Sequence, residues 1–167
     1  MPQETSQRLL DETGWKILDI LQEQARLSFS ELGKRVGLTA QGVADRVRRM
    51  EEAGIIRGYR ALIDLQAIGL SITAYMQISA PFEQEERFAT LARATPEVLE
   101  CHFITGHDTY IIKVAVRSVA HLEALIKRLQ AASDVTTSIV LSSPVLERPI
   151  TRSVVDGTLQ PLVRAPE

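Results

Sequence analysis

The segment 28–60 most constrains the fold of this chain, because it predicts two short helices joined by a tight turn. Ser28 opens a Ser-x-x-Glu capping box, so a helix is expected to begin directly after it. Gly37 ends that helix, since glycine adopts the left-handed conformation at little cost. Thr39 then caps a second helix, over about 40–53. Two helices so closely connected predict a helix-turn-helix, whose second helix enters the DNA major groove.

The second helix separates apolar from polar side chains. Val43, Val47 and Met50 form an apolar stripe at i, i+4 and i+7. Residues 34–60 contain seven basic and three acidic side chains, whereas the whole chain has a net charge of −2. This local basic patch is typical of a surface that meets phosphates. The alternative is a solvated helix face stabilised by pairs at i,i+4 such as Arg48–Glu52.

Composition narrows the class of protein. The 167 residues are 45% hydrophobic, which supports one ordinary domain or two small ones. We expect neither a membrane span nor a signal peptide, because no apolar run of about 18 residues and no basic-then-apolar leader occurs. The single cysteine, Cys101, agrees with a reducing cytoplasm and is expected to be buried. The three histidines lack the spacing of a zinc site, so no metal or other cofactor is expected.

The elements around the turn complete a DNA-binding unit. Asp11 is a plausible N-cap for a first helix that carries Trp15 and reaches about Gln24. Residues 55–64 are β-branched and aromatic, and they predict a short ribbon that forms a wing and leads into a linker. The N-terminal part of the sequence thus predicts three helices followed by a β linker.

The remainder predicts a second fold of a different class. From residue 70 the pattern reads strand, helix, strand, strand, helix, strand, which is the ferredoxin-like βαββαβ arrangement. The fold class is therefore α+β, with a (winged) helix-turn-helix domain joined by a β linker to a ferredoxin-like domain. The third strand, 110–116, is nearly all apolar and is expected to be central. Two helices cover one sheet face, and a second copy of the chain is the economical cover for the other. The predicted divisions are 1–9 flexible leader, 10–56 helix-turn-helix domain, 57–69 β ribbon and linker, 70–142 effector-binding and oligomerisation domain, and 143–167 C-terminal extension.

These motifs resemble the Lrp/AsnC, or feast/famine, family of bacterial and archaeal regulators. The resemblance covers roughly residues 10–142 and is carried by LDETGWKIL (10–18), ARLSFSELGKRVGLT (25–39), VADRVRRMEEAGIIRGYRALID (43–64) and GHDTYIIKV (106–114). It implies a transcriptional regulator on double-stranded DNA, in the cytoplasm and at the nucleoid, and not an enzyme. It also implies homodimers formed through the sheet domain, often assembled into octamers, and a small-molecule effector, usually an amino acid, bound between dimers.

The resemblance assigns candidate site residues. DNA-binding positions are Lys34, Arg35, Thr39, Gln41, Gly42, Arg46, Arg48, Arg49 and Arg57. Among these, Lys34, Arg35 and Arg57 are expected to contact phosphates, while Gln41 and one or more arginines read base edges. For Arg46 the alternative is an ion pair beside Glu51 or at a helix end.

The effector-binding positions are Thr105, Gly106, His107, Asp108, Thr109 and Thr137. Here the chain departs from the family, because Thr109 stands where an aspartate is usual and Asp108 comes one place earlier. A carboxylate suits the ammonium group of an amino acid, whereas threonine does not. Three alternatives follow: a different effector, substitution by Asp108, or an unused pocket. His107 either makes the response pH-sensitive or is an exposed loop histidine.

Two other function classes stay open at this point. One is an effector-independent architectural DNA-binding protein. The other is an enzyme, because sirohaem decarboxylases resemble the same architecture; they usually carry a segment rich in His, Arg, Tyr and Trp where this chain has 109–113, and no paired acid and base is found here. In the extension, 150–155 predicts an edge strand, with a partly disordered tail as the alternative.

Overall fold

The computed structural model describes residues 8–106, 109–131 and 133–158 of the chain. The chain forms two compact units, one from residues 1–61 together with 145–167 and the other from residues 62–144. Among the helices in the described ranges, none is long and apolar enough to cross a membrane.

The first unit contains the three predicted helices, α1 (Glu12–Glu23), α2 (Phe29–Val36) and α3 (Ala40–Glu52). Each begins at its predicted cap: the side chains of Asp11, Ser28 and Thr39 accept hydrogen bonds from the backbone N–H groups three residues later. Gly37 ends α2 in the left-handed conformation, with φ of 73°. The capping chemistry read from the sequence is therefore confirmed.

The core of this unit lies between the three helices and consists of aliphatic side chains from each. Its buried members are Leu9, Ile17, Leu21, Leu32, Val43, Val47 and Met50. Leu38 in the turn packs against them, as its position between the helices predicts. The apolar stripe of α3 is thus buried in the core, and the opposite face of that helix is exposed to solvent.

The ribbon predicted after α3 is absent from the structure. Residues 57–64 are irregular, residues 65–69 form turns, and Leu62 and Ile63 are exposed. The β-branched composition raises strand propensity, but a strand also needs a neighbour for its backbone hydrogen bonds. Within the described part of this chain, no strand pairs with the segment.

The C-terminal extension also differs from the edge strand predicted for 150–155. Residues 152–155 form a short helix, α6 (Arg152–Val155), and the extension belongs to the first unit. The side chain of Gln22 on α1 holds it there. Gln22 Nε2 donates to the carbonyl oxygen of Ile150 at 3.0 Å, and the Ile150 N–H donates to Gln22 Oε1 at 2.8 Å. One amide side chain therefore satisfies the backbone groups that a neighbouring strand would have taken.

Replacing Gln22 with alanine should release the extension from α1. We expect the amide hydrogen of Ile150 to exchange about fivefold faster or more, since its hydrogen-bond acceptor is lost and such a bond contributes about 1 kcal/mol. Hydrogen exchange followed by NMR measures this rate. Glu23→Ala, which changes the exposed neighbouring residue, serves as the control; equal exchange at Ile150 in the two variants would contradict the role of Gln22.

The second unit has the predicted ferredoxin-like order. Its elements are β1 (Ile72–Ser79), a 3₁₀ turn (Phe82–Gln84), α4 (Glu85–Arg93), β2 (Val98–Phe103), β3 (Tyr110–Val116), α5 (Val119–Gln130) and β4 (Asp134–Ile139). The four strands form one antiparallel sheet in the order β2-β3-β1-β4. The central position expected for 110–116 is confirmed.

The two sheet faces have different surroundings. Alternate side chains of β1, such as Met76 and Ile78, are fully buried with Phe88 and Leu129 from the helices. The intervening residues face the other way, and Tyr75 is 41% exposed. Because α4 and α5 cover only one face, the opposite face is open in the described part of this unit.

Cys101 is exposed, so the prediction of a buried cysteine is wrong for the single chain. The residue lies on β2, which is an edge strand of the sheet. It lines an open groove of about 510 Å³ between β2 and α4. An edge strand has neighbours on one side only, and this is why an apolar-looking strand leaves its cysteine accessible.

Candidate nucleic-acid interface and effector loop

The turn between α2 and α3 depends on a close approach of two backbone segments. The Leu38 N–H donates to the Gly33 carbonyl oxygen at 2.9 Å. A Cβ atom on Gly33 would lie 2.5 Å from the Leu38 carbonyl oxygen, a distance that real side chains do not show. The absence of a side chain at residue 33 therefore sets how closely α3 follows α2.

The exposed side of α3 carries a continuous set of polar side chains, which we call the reading face: Gln41, Asp45, Arg48 and Arg49. Gln41 Nε2 donates to Asp45 Oδ1 at 3.2 Å, and the same oxygen lies 3.6 Å from Arg48 Nη2. The Arg48 side chain is 64% exposed and also lies 4.0 Å from Glu52. Such long, exposed pairs contribute little to stability, which leaves the guanidinium available to a stronger anion.

Thr39 and Gly42 form the first turn of α3. The Thr39 hydroxyl oxygen accepts the Gly42 N–H at 3.1 Å, so its cap role is occupied in the free protein. A Cβ on Gly42 would meet Thr39 Oγ1 at 3.3 Å. Both residues lie where a groove-entering helix begins, and their contact with DNA stays a prediction.

Arg46 is held within the protein. Its two terminal nitrogens each lie 2.7 Å from an oxygen of Asp11, the residue that caps α1. This two-point pair realises the alternative of an ion pair at a helix end, although the partner is Asp11 and not Glu51. The pair joins α3 to the start of α1, and it lowers the pKa of Asp11 chiefly through the hydrogen bond from Arg46. We therefore assign Arg46 to the positioning of α3, and its contact with DNA remains an untested expectation.

The Asp11–Arg46 pair predicts an acid-dependent loss of stability. Because the pKa of Asp11 is lowered in the folded state, its contribution is present above the unfolded pKa, near 4, and is lost as pH falls through the folded value. In wild type this acid-dependent loss of stability should be about 1 kcal/mol or less, because solvent screens a half-exposed side chain. In the Asp11→Asn variant the loss should be absent. The fluorescence of Trp15, the only tryptophan, reports unfolding of this unit at pH 7 and pH 3.

Asp19→Asn is the matched control for that measurement, since Asp19 is an exposed carboxylate on the same helix. It should keep the wild-type difference between the two pH values. If Asp11→Asn and wild type lose the same stability in acid, the pair does not hold the unit together.

The predicted phosphate contacts lie on exposed parts of the first unit. Lys34 Nζ is 3.5 Å from Glu31, and Arg35 donates to Gln24 at 3.2 Å. Arg57 is exposed in the irregular segment after α3. These positions suit contacts that orient a protein on DNA without reading its sequence.

Tyr59 ties the irregular segment back to α3, a contact that the sequence did not indicate. Its hydroxyl donates to Glu51 Oε1 at 3.1 Å. Partial burial, together with this hydrogen bond to a carboxylate, raises the pKa of Tyr59 to about 12. The tyrosine was visible only as a β-forming residue, because a bond from an irregular segment to a helix leaves no periodic signal.

The effector loop, residues 105–109, is anchored at Thr109. The Thr109 N–H donates to the Ile78 carbonyl oxygen at 2.8 Å. Its hydroxyl donates to the Ala80 carbonyl oxygen at 3.1 Å and lies 3.3 Å from the Ala80 N–H. The residue that replaces the usual aspartate thus joins the loop to the end of β1. Gly106 has a φ of 131°, which favours glycine there.

The other predicted effector residues lie on β4, at the start of the loop or outside the described ranges. Thr137 on β4 pairs with Met76 and therefore lies on the helix-covered side of the sheet. Thr105 is exposed at the start of the loop. His107 and Asp108 lie outside the described residues, so their part in an effector site remains a prediction.

Comparison with known proteins assigns both units. Residues 10–57 match a family of winged helix-turn-helix DNA-binding domains, and residues 73–150 match the Lrp/AsnC ligand binding domain. An HTH-type transcriptional regulator of Bacillus subtilis is 39% identical over 134 residues, which cover 80% of this chain and 95% of that protein. The leucine-responsive regulatory protein of Rhizobium meliloti is 33% identical over 132 residues, which cover 77% and 85%.

Solved structures of other proteins superimpose on most of this chain. The complex of a Neisseria meningitidis transcriptional regulator with L-Met superimposes with a TM-score of 0.82 at 29% identity, and covers 87% of this chain and 99% of that chain. AsnC of E. coli gives a TM-score of 0.77 at 28% identity, with 84% and 97% covered. Both units of the present chain therefore have structural counterparts in one class of proteins.

Proposed function

The chain belongs to the Lrp/AsnC family of transcriptional regulators, and on this premise we propose that it binds specific operator DNA and that an amino acid or related metabolite modulates that binding. It would act on the nucleoid, in the cytoplasm. The observation that carries the proposal is the reading face: one exposed side of α3 presents an amide and two arginines, while the other side is buried in the core. A helix placed in this way can enter the major groove without unfolding the unit.

DNA upstream of the gene for this chain tests the proposal directly. A mobility-shift titration should show a retarded complex that competes poorly with random DNA, and added amino acids should change the midpoint. Specific sites are bound about 10³-fold or more tightly than random sequence. If random DNA competes as well as the upstream fragment at the same salt concentration, this fragment is not an operator and the regulatory proposal loses its support.

We further propose that the functional form is a homodimer assembled through the sheet domain, with octamers as its higher form. The open sheet face that includes Tyr75 and the exposed apolar residues Leu62 and Ile63 support an additional interface. A two-fold dimer would bind a pseudo-palindromic operator with half-sites about 34 Å apart. Sedimentation of the whole chain measures the oligomer, and a monomer at micromolar concentration would contradict it.

For the effector, the relatives indicate a chemical class. One structure contains L-Met, one relative is named as leucine-responsive, and another is named for the regulation of glutamate uptake. We propose that the corresponding ligand of this chain is an amino acid held by the effector loop, with Asp108 supplying the carboxylate for its ammonium group.

A thermal-shift panel of amino acids tests the effector proposal. At a hundredfold excess over its Kd, a ligand stabilises the folded state by about 2.7 kcal/mol, so the matching amino acid should raise the melting temperature. Asp108→Ala should abolish that rise while DNA binding without effector is retained. Asp19→Ala, which removes an exposed aspartate from α1 of the first unit, is the control. Equal ligand affinity in Asp108→Ala and wild type would remove Asp108 from the site.

One observation favours a second function, that of an effector-independent architectural DNA-binding protein. Thr109 replaces the usual aspartate, and its hydroxyl is already bonded to the Ala80 carbonyl. A panel in which no amino acid shifts the melting temperature, together with DNA binding that is insensitive to all of them, would support this second function.

A further inference from the structure

A carboxylate lies in the middle of the surface that is proposed to meet DNA. Asp45 Oδ1 accepts the hydrogen bond from Gln41 Nε2 at 3.2 Å and lies 3.6 Å from Arg48 Nη2. Gln41 precedes Asp45 by four residues and Arg48 follows it by three, so all three side chains share one face of α3. The side chain of Asp45 is 45% exposed, so its charge reaches the surface. A negative charge here opposes the approach of phosphates, and a role in affinity alone does not account for it.

We propose that Asp45 is a specificity-determining residue, which orients the amide of Gln41 so that Gln41 reads adenine. The inference rests on the proposed operator binding and adds to it the base that one side chain recognises. Asp45 acts through Gln41 and is thus a positioning residue for the base contact.

Hydrogen-bond chemistry determines how the amide of Gln41 is oriented. A carboxylate accepts hydrogen bonds and does not donate them, so Gln41 must turn its NH₂ group, and not its carbonyl oxygen, towards Asp45. Gln41 Oε1 and the second Nε2 hydrogen then remain for a partner outside the protein. Adenine presents an N6 donor and an N7 acceptor side by side in the major groove, and this pair complements an amide.

Asp45 also changes the affinity for DNA sequences other than the operator. Its charge weakens attraction to any phosphate backbone, while the oriented amide gains a contact only where the matching base is present. Both effects increase the ratio of the affinity for the operator to the affinity for random DNA, because the protein then discriminates against sequences that lack the matching base. Preorganisation has a further effect, because an amide that is already oriented loses less freedom when it binds.

Base-modified duplexes test this role. An operator selected by the wild-type protein from random duplexes is remade with 7-deazaadenine at one adenine position at a time, which replaces the N7 acceptor by a C–H group. In wild type, one adenine in each half-site should show a loss of affinity of about fivefold or more. Gln41→Ala should abolish that loss. Asp45→Asn should reduce it to less than about twofold and should raise affinity for random DNA, since asparagine is uncharged and accepts either orientation of the Gln41 amide.

Glu52→Gln is the matched control, because it removes another carboxylate near Arg48 from the same helix. It should raise affinity for random DNA and leave the 7-deazaadenine effect unchanged. Trp15 fluorescence confirms that each variant keeps the folded first unit.

The possible results separate this inference from the proposed function. An effect of 7-deazaadenine that is equal in wild type and Asp45→Asn, or that persists in Gln41→Ala, would overturn the role of Asp45 while operator binding stands. Equal binding of selected and random duplexes by the wild-type protein would overturn both.

Discussion

Replacing Arg48 and Arg49 together with alanine should weaken operator binding by about a hundredfold or more. Both side chains are exposed on the reading face, and the ion pairs of Arg48 among the described residues are long, at 3.6 Å to Asp45 and 4.0 Å to Glu52. A good arginine–base contact is worth about 1–3 kcal/mol, and each neutralised phosphate contributes about 0.9 to the slope of log affinity against log salt. The loss should therefore be accompanied by a smaller salt slope.

The measurement is a mobility-shift titration at several salt concentrations, on the operator and on random DNA. If both arginines contact phosphates, the slope falls by about 1.8 for each bound subunit and both DNAs are weakened equally. If one reads a base, the operator is weakened more than random DNA.

A control of equal charge comes from the other unit. Arg87→Ala with Arg93→Ala removes two exposed arginines from α4. This double variant should bind DNA much as wild type does. Unchanged binding after replacement of Arg48 and Arg49 would show that this face of α3 is not the DNA contact.

Gly33→Ala should destabilise the first unit by about 1–3 kcal/mol, which is the usual effect of overfilling a packed site. The added methyl group would lie 2.5 Å from the Leu38 carbonyl oxygen, a backbone atom that cannot move without opening the turn. The gain in helix propensity, about 1 kcal/mol for replacing glycine with alanine, offsets only part of this.

Urea unfolding monitored through Trp15 measures the effect, because the only tryptophan lies in α1 of this unit and is largely buried. Gly42→Ala is the matched control: its Cβ would meet Thr39 Oγ1 at 3.3 Å and no backbone atom closer than that. We expect its stability within about 1 kcal/mol of wild type, since propensity and the tighter contact oppose each other. If the two alanine variants are equally stable, the close approach at Gly33 does not limit the turn.

The features that could be predicted from the sequence are those set by neighbours along the chain. Ser28 and Thr39 cap their helices as expected, because a cap is a bond across three residues. The order of strands and helices in the second unit follows from hydrophobic period, which is also local. The prediction of a ribbon after α3 was wrong for the same reason. The composition of residues 57–64 favours a strand, but no local pattern indicates whether a partner strand exists.

In the candidate site, too, some features follow from local pattern and others depend on distant residues. The position of Gln41 and Arg48 on an exposed helix face follows from the helical repeat. Whether an arginine on that helix is free depends on residues far away, as the pairing of Arg46 with Asp11 demonstrates.

The helix-turn-helix, its caps, the basic surface of α3 and the strand order could thus be predicted, since each depends on contacts or periodicity within a few residues. Which side chains are bonded to distant residues became known from the folded chain. Arg46 binds Asp11 across 35 positions, Thr109 binds Ala80 across 29, and Gln22 binds Ile150 across 128. The physical reason is that such a bond forms only after packing has brought its two ends together. Local propensity contains no record of that geometry.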